Sequence, residues 1–294
     1  MIYCNFQIQS KSNPTMKSTK LLCMILGTGF FFISCEKEEV PSSMEASAEE
    51  IQEKISKEDL QLISSLHFNS KDAEVIDLLL PDGSTEKTFL IEGDILLNRE
   101  QLNTMSANKI TSKQYRTYNL VSNYRNVNVI GYTGGSGQGL TSKQKTALQW
   151  TIDNYNAINT GLNFTLTFGT NYSAYDIVVY QNPNGEAGGV AGFPSDGNPY
   201  KYVQIYSGME AYDTNTNEHV ITHEIGHSVG LRHTDWFSRQ SCGQSGEAAG
   251  SDGAVHIPGT PTGFDANSIM LACFSASEDG EFGYYDRVAL EYLY

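Results

Sequence analysis

The sequence predicts an α/β layer sandwich over about residues 125–294, preceded by a small N-terminal region of its own. Three observations carry the prediction. Beyond Arg125, strand-like runs alternate with helical periodicity; residues 60–124 hold only short apolar segments; and the first 59 residues have the composition of a targeting signal and a linker.

The N-terminus comes first. Lys17 and Lys20 precede an apolar run from Leu21 to Ile33, which meets Ser34 and Cys35, the basic, apolar and small-residue succession of an export signal. The run has 13 residues, too few for an anchor helix, which needs about 20. Its ending, "FFISCEKEE", resembles a bacterial lipoprotein signal, with Phe32 in place of the usual aliphatic residue. That resemblance implies removal of residues 1–34, lipidation of Cys35 and a place at the outer membrane or cell surface; plain secretion is the alternative. Residues 35–59 are rich in Glu, Ser and Lys and read as a flexible tether.

Without residues 1–34 the chain keeps 16 basic and 34 acidic residues, a formal charge of -18. Such a surface excludes nucleic acid and anionic lipid as partners, and a membrane is reached only through the lipid. Cys4 and Cys23 leave with the signal and Cys35 takes lipid. Cys242 and Cys273 remain as one pair in an oxidising compartment, where a disulfide is expected.

In the N-terminal region, "TFLIEGDILL" (88–97) places Glu-Gly-Asp between two apolar runs suited to a hairpin or bent strand. Further on, "NVNVIGY", "LNFTLTF", "YDIVVYQ" and "YVQIYS" read as strands. Residues 142–158 read as a helix, with Thr141 and Gln144 spaced as a capping box and Leu148, Ile152 and Tyr155 on its buried face. "GYTGGSGQG" (131–139) lacks the spacing of a phosphate-binding fingerprint and reads as a flexible connection.

The chemistry concentrates in "HEIGHSVGLRHTD" (223–235). If residues from about Thr216 to Gly230 are helical, His223 and His227 lie one turn apart on one face, about 6 Å from each other. Glu224 stands beside that face. Gly230 permits the left-handed turn that ends the helix and returns His233 towards the same point. Three neutral imidazoles with the fourth position open is the arrangement of catalytic zinc, where Glu224 serves as general base to the water.

Residues 223–233 match the metzincin pattern His-Glu-x-x-His-x-x-Gly-x-x-His, and "HEIGH" resembles the bacterial HEIGH-type (dual-action) metallopeptidases. The resemblance implies an α+β catalytic domain with a twisted mixed sheet and a zinc-binding active-site helix over 125–294, acting as a zinc endopeptidase on proteins or peptides. It nominates Met270, in "NSIMLACF", as the methionine-turn residue beneath the ion, with Cys242–Cys273 tying the loop after His233 to that turn. A glutamate after the third histidine and a tyrosine after the methionine, found in astacin-like enzymes, are replaced by Thr234 and Ala272. Asp235 is left to loop stabilisation or solvent.

"GEAGGVAGFP" (185–194) lies where metzincins present an edge strand to an extended substrate in antiparallel fashion, and otherwise reads as a glycine-rich loop. "IEGDI" (91–95) resembles the aspartate segment of astacin-type prosegments, which makes residues 60–124 pro-like and Asp94 a latency switch; a plain turn is the alternative. "QYRTYNL" (114–120) offers a cut after Arg116. His219 shares the face of His223 but would close the site, so it is expected outside the ligand set or towards solvent; His67 and His256 have no ligand spacing. A lipid-anchored binding protein that no longer cleaves is the alternative function.

Overall fold

A computed structural model of the protein describes residues 54–107, 116–117, 119–244 and 255–294. The expected signal at 1–34, Cys35 and most of the tether lie outside the described residues. Among these, no helix is long and apolar enough to cross a membrane.

Helix α1 (Lys57–Ser65) starts where Ser56 caps it by accepting from the Asp59 N–H, inside the stretch expected as tether. Strands β1 (Glu74–Leu79), β2 (Thr85–Ile91) and β3 (Ile95–Leu97) follow, then helix α2 (Arg99–Ala107). The expected hairpin is β2 with β3, in the register Phe89↔Leu97, Leu90↔Leu96 and Ile91↔Ile95. Its turn has Glu92 at φ 58° and Gly93 at φ 96°. Glycine takes that conformation without strain; a glutamate is held in it only by its surroundings.

The second half contains β4 (Arg125–Tyr132), α3 (Ser142–Asn156), β5 (Leu162–Gly169), β6 (Ile177–Asn182), β7 (Gly189–Gly192), β8 (Tyr202–Tyr206), α4 (Thr214–Ser228) and α5 (Tyr284–Leu293). All four strands and the helix expected from periodicity are present. Both bonds of the Thr141–Gln144 capping box form, and Leu148, Ile152 and Tyr155 are buried. Together the strands make an eight-stranded mixed sheet in the order β1-β2-β3-β7-β8-β6-β4-β5. The α+β architecture is as expected.

Strands β5, β4, β6 and β8 run parallel, β7 is antiparallel to β8, and β3 joins β7 in parallel through Ile95↔Ala191 and Leu96↔Gly192. One sheet therefore crosses the expected boundary near residue 124. The main core lies between one face of the sheet and helices α3 and α4, with Val129, Leu148, Ile205, Ile221 and Ile225 at its centre. A second core under α1 and α2 gathers Ile63, Phe68, Phe89, Ile91 and Leu102, and Phe193 joins it from the strand side.

Candidate metal centre and its N-terminal cover

Asp213 begins α4 by accepting from the Thr216 N–H, and the helix ends at Val229 with Gly230 at φ 106°. The left-handed glycine turns the chain back as expected, and its N–H reaches His227 O at 2.8 Å. The rings of His223, His227 and His233 then lie 4.6 to 5.3 Å apart, centroid to centroid. Among the described residues one carboxylate joins them. Asp94, from the β2–β3 turn, puts Oδ2 2.9 Å from His233 Nε2 and 3.5 Å from His223 Nε2. A ligand atom from each of Asp94, His223, His227 and His233 lies within 4.8 Å of the others, a set that could hold a metal ion.

The outer nitrogens show that the set suits a cation. His223 Nδ1 donates to Ile269 O and His227 Nδ1 to Leu231 O, each at 2.8 Å. A carbonyl only accepts, so the proton sits on Nδ1 and the Nε2 lone pair points inward. Among the described residues, the Nε2 atoms of His223 and His227 are buried without a hydrogen-bond partner, as a metal ligand's would be. His233 Nδ1 faces Glu92 Oε2 at 3.0 Å, which directs its Nε2 inward too.

Charge follows this geometry. Burial opposes the ionisation of Asp94, but the facing His233 and His223 outweigh it and hold the carboxyl well below the usual range. Burial also disfavours the His233 cation, yet Asp94 and Glu92 carry it up to about 9. Burial, with His223 and His233 adding to it, pushes His227 well down. Glu224, 2% exposed, is pushed well above the carboxylate range by burial and then by the charge of Asp94; its Oε2 has no hydrogen-bond partner among the described residues.

The helix is fitted to its floor. A Cβ on Gly226 would lie 2.5 Å from Met270 Sδ, so only glycine leaves room for the methionine beneath the helix. Met270 is 1% exposed, and its carbonyl accepts from the Thr234 N–H at 2.8 Å. The disulfide Cys242–Cys273 is formed. Asp235 is fully buried and accepts from Ser241 N, Ser241 Oγ and Ala272 N, which rules out the solvent reading and binds the loop after His233 to the methionine turn.

His219 lies outside the cluster but does not face solvent. It is 5% exposed, its Nδ1 bonds Asp279 O at 2.9 Å, and burial first, then His223, lowers it to about 4. His256 Nε2 contacts Thr260 O, and the His67 carbonyl accepts from Arg232 Nη2. Arg116 makes an isolated antiparallel bridge with Leu231.

Two residues of the site went unnoticed in the sequence. Glu92 stands two places before Asp94 in the same "IEGDI" segment, and the pairing of two acids across a glycine was its only signal. Asp286, on α5, accepts from Ile269 N, Ser268 Oγ and Gly283 N and so anchors the methionine turn from behind.

Residues 189–192 of the segment expected as an edge form β7, but in the full chain β7 lies inside the sheet, between β8 and β3, and presents no free edge. A Cβ on Gly192 would meet Leu96 O at 2.6 Å, so this glycine admits a second backbone against β7, while one on Gly189 would meet Glu224 Cγ at 2.9 Å, so that glycine makes room for the α4 side chain. In this chain the second backbone is β3, and Ala191 N donates to Asp94 O at 3.0 Å.

Residues 89–294 match the family of dual-action HEIGH metallopeptidases. The chain belongs to that family. The match begins within β2 and so takes in the hairpin that carries Glu92 and Asp94 as well as the histidine helix. A search of curated proteins finds no match. Two structures of myroilysin are similar at 12% and 13% identity, each with a TM-score of 0.36, covering 56% and 58% of this chain and 78% and 83% of theirs. As a family member the protein is a metallopeptidase, with peptides or proteins as its substrates.

Proposed function

We propose that the protein is an exported zinc endopeptidase of the metzincin type, held latent by its own N-terminal region. The observation that carries the reading is the convergence of His223, His227 and His233 on one point that the Asp94 carboxylate also reaches. Three imidazoles with a fourth position for an exchangeable oxygen ligand favour catalytic zinc over a closed structural site. When bound, the ion would polarise both water and the scissile carbonyl.

The chain's own groups do the rest. Glu224 accepts the water's proton on a carboxylate already raised by burial, then delivers it to the leaving amine nitrogen. The backbone edge of β7 aligns an extended substrate, and Met270 with Asp235 holds the floor on which the imidazoles rest. Asp94 occupies the water's place, and β3 occupies the substrate's seat on β7. Residues 60–124 are thus a prosegment, and cleavage after Arg116 would release it. Export and lipidation at Cys35 rest on the composition of residues 17–35.

Glu224→Gln in the zinc-loaded chain should abolish hydrolysis of denatured protein while leaving one zinc bound. Retained hydrolysis would refute the role. Asp94→Ala should raise the activity of the uncleaved chain, and an unchanged precursor would refute the switch. A binding protein that no longer cleaves predicts no hydrolysis from either form. Labelling with a fatty-acid analogue, lost in Cys35→Ser, tests the anchor.

A further inference from the structure

We propose that Tyr294 is a positioning residue for the metal centre: its hydroxyl fixes the turn that orients His227 and returns His233. The inference rests on the metal reading above.

A helix end leaves its last carbonyls without partners inside the helix, and buried ones must find donors elsewhere. After α4 three successive carbonyls do so, each from a different segment. Val229 O accepts from Tyr294 Oη, Gly230 O accepts from the Thr117 N–H at 2.9 Å, and Leu231 O accepts from His227 Nδ1 at 2.8 Å. The third of these bonds aims the His227 Nε2 lone pair at the cluster. The first is made two residues earlier, so the place of Leu231 O depends on where Val229 O is held. Val229 is fully buried, and Val121, whose N–H donates to the same Tyr294 Oη at 3.3 Å, is 2% exposed.

The tyrosine is itself held. Its ring packs against the main core, and its carbonyl accepts from the Gly161 N–H at 2.6 Å. Burial pushes the phenol above its usual range against the opposing Val121 N–H and Arg116, so the hydroxyl keeps its proton at neutral pH and remains a donor.

Helix α5 thereby braces both ligands borne by α4. Near its start Asp286 accepts from Ile269 N at 2.9 Å, and Ile269 O accepts from His223 Nδ1. Just past its end Tyr294 holds Val229, two residues before the acceptor of His227. A ligand imidazole is aimed by the group that its outer nitrogen meets, so the two ends of one helix set the aim of the two histidines. Phenylalanine at position 294 would keep the ring but take the donor from Val229 O and the acceptor from Val121 N.

The test measures zinc affinity of the full chain at fixed pH by competition with a chelator, together with the optical bands of the cobalt-loaded chain, which report ligand geometry. Loss of a group bonded directly to a ligand imidazole costs about 10- to 100-fold in metal affinity. Tyr294 acts one step further out, so Tyr294→Phe should weaken zinc about 3- to 10-fold and shift the cobalt bands. Ile152→Val, in α3 and away from the turn, is the control. It should lose a similar amount of Tm, about 2 to 4 °C, yet bind zinc as the parent does. Zinc should in turn slow hydrogen exchange at the Thr117 and Val121 amides about 3- to 10-fold more than at the amides of β5, since coupling between two sites is reciprocal. That comparison needs no variant and decides the matter if Tyr294→Phe does not fold. Parental affinity and cobalt bands in Tyr294→Phe, or exchange at both amides that zinc slows no more than at β5, overturns the positioning role. A parent chain that binds neither ion overturns the metal reading, and the role with it.

Discussion

Gly226→Ala probes the contact between the histidine helix and the methionine turn. The new Cβ would lie 2.5 Å from Met270 Sδ and 3.3 Å from Met270 Cε, against the roughly 3.5 to 4.0 Å of a relaxed contact. Met270 is 1% exposed and its neighbour Ile269 holds His223, so the methionine has little room to withdraw. Overpacking of this kind costs about 1 to 3 kcal/mol, while alanine in a helix interior regains about 1 kcal/mol over glycine. A net loss of about 1 kcal/mol is expected, or about 3 °C in Tm for a chain of this size. Met270→Ala alone leaves a cavity and should cost about 2 to 5 kcal/mol. In the double variant the methyl enters the space the sulphur left, so the two losses should fall short of additivity by about 1 to 2 kcal/mol. Urea unfolding of the four proteins, with m unchanged, measures the cycle. A stabilised Gly226→Ala with additive losses would mean that Met270 does not press on the helix.

Asp286 ties stability to pH. Burial raises its carboxyl to about 6, with hydrogen bonds from Ile269, Ser268 and Gly283 opposing the shift. The folded state holds this proton more tightly than the unfolded state, so the group's contribution is complete below about pH 4 and lost as pH rises through 6. The loss amounts to about 3 kcal/mol, and Asp286→Asn should remove that slope; parallel curves for the two proteins between pH 4 and 7 would contradict the assignment. Opening the disulfide by Cys242→Ser with Cys273→Ser frees a loop of sequence separation 31 and should cost about 3 to 4 kcal/mol, read as a fall in Tm. A change under about 1 kcal/mol would show that Asp235 and its partners hold the loop without the bridge.

Legibility in the sequence followed the range of each signal. Strands β4, β5, β6 and β8 and helix α3 were plain because alternation and a capping box are local patterns. Helices α1, α2 and α5, of 9, 9 and 10 residues, span too few turns to stand out, although the Ser56–Asp59 cap was present. Strand β1 was missed among short apolar segments, and it finds its partner only across the turn to β2.

By itself the sequence determined the spacing that brings His223 and His227 to one helix face, the left-handed exit at Gly230 that returns His233 to them, and the place of Glu224 beside that face, since these depend on helix pitch and on which residues tolerate a given backbone. Only the tertiary structure decided that β3 lies parallel on β7, that Glu92 meets Arg232 and Arg239, that Asp286 holds the methionine turn and that His219 turns to Asp279. These meetings join segments from 17 to 147 residues apart. Strand order and helix packing bring such segments together, and no local period encodes that order.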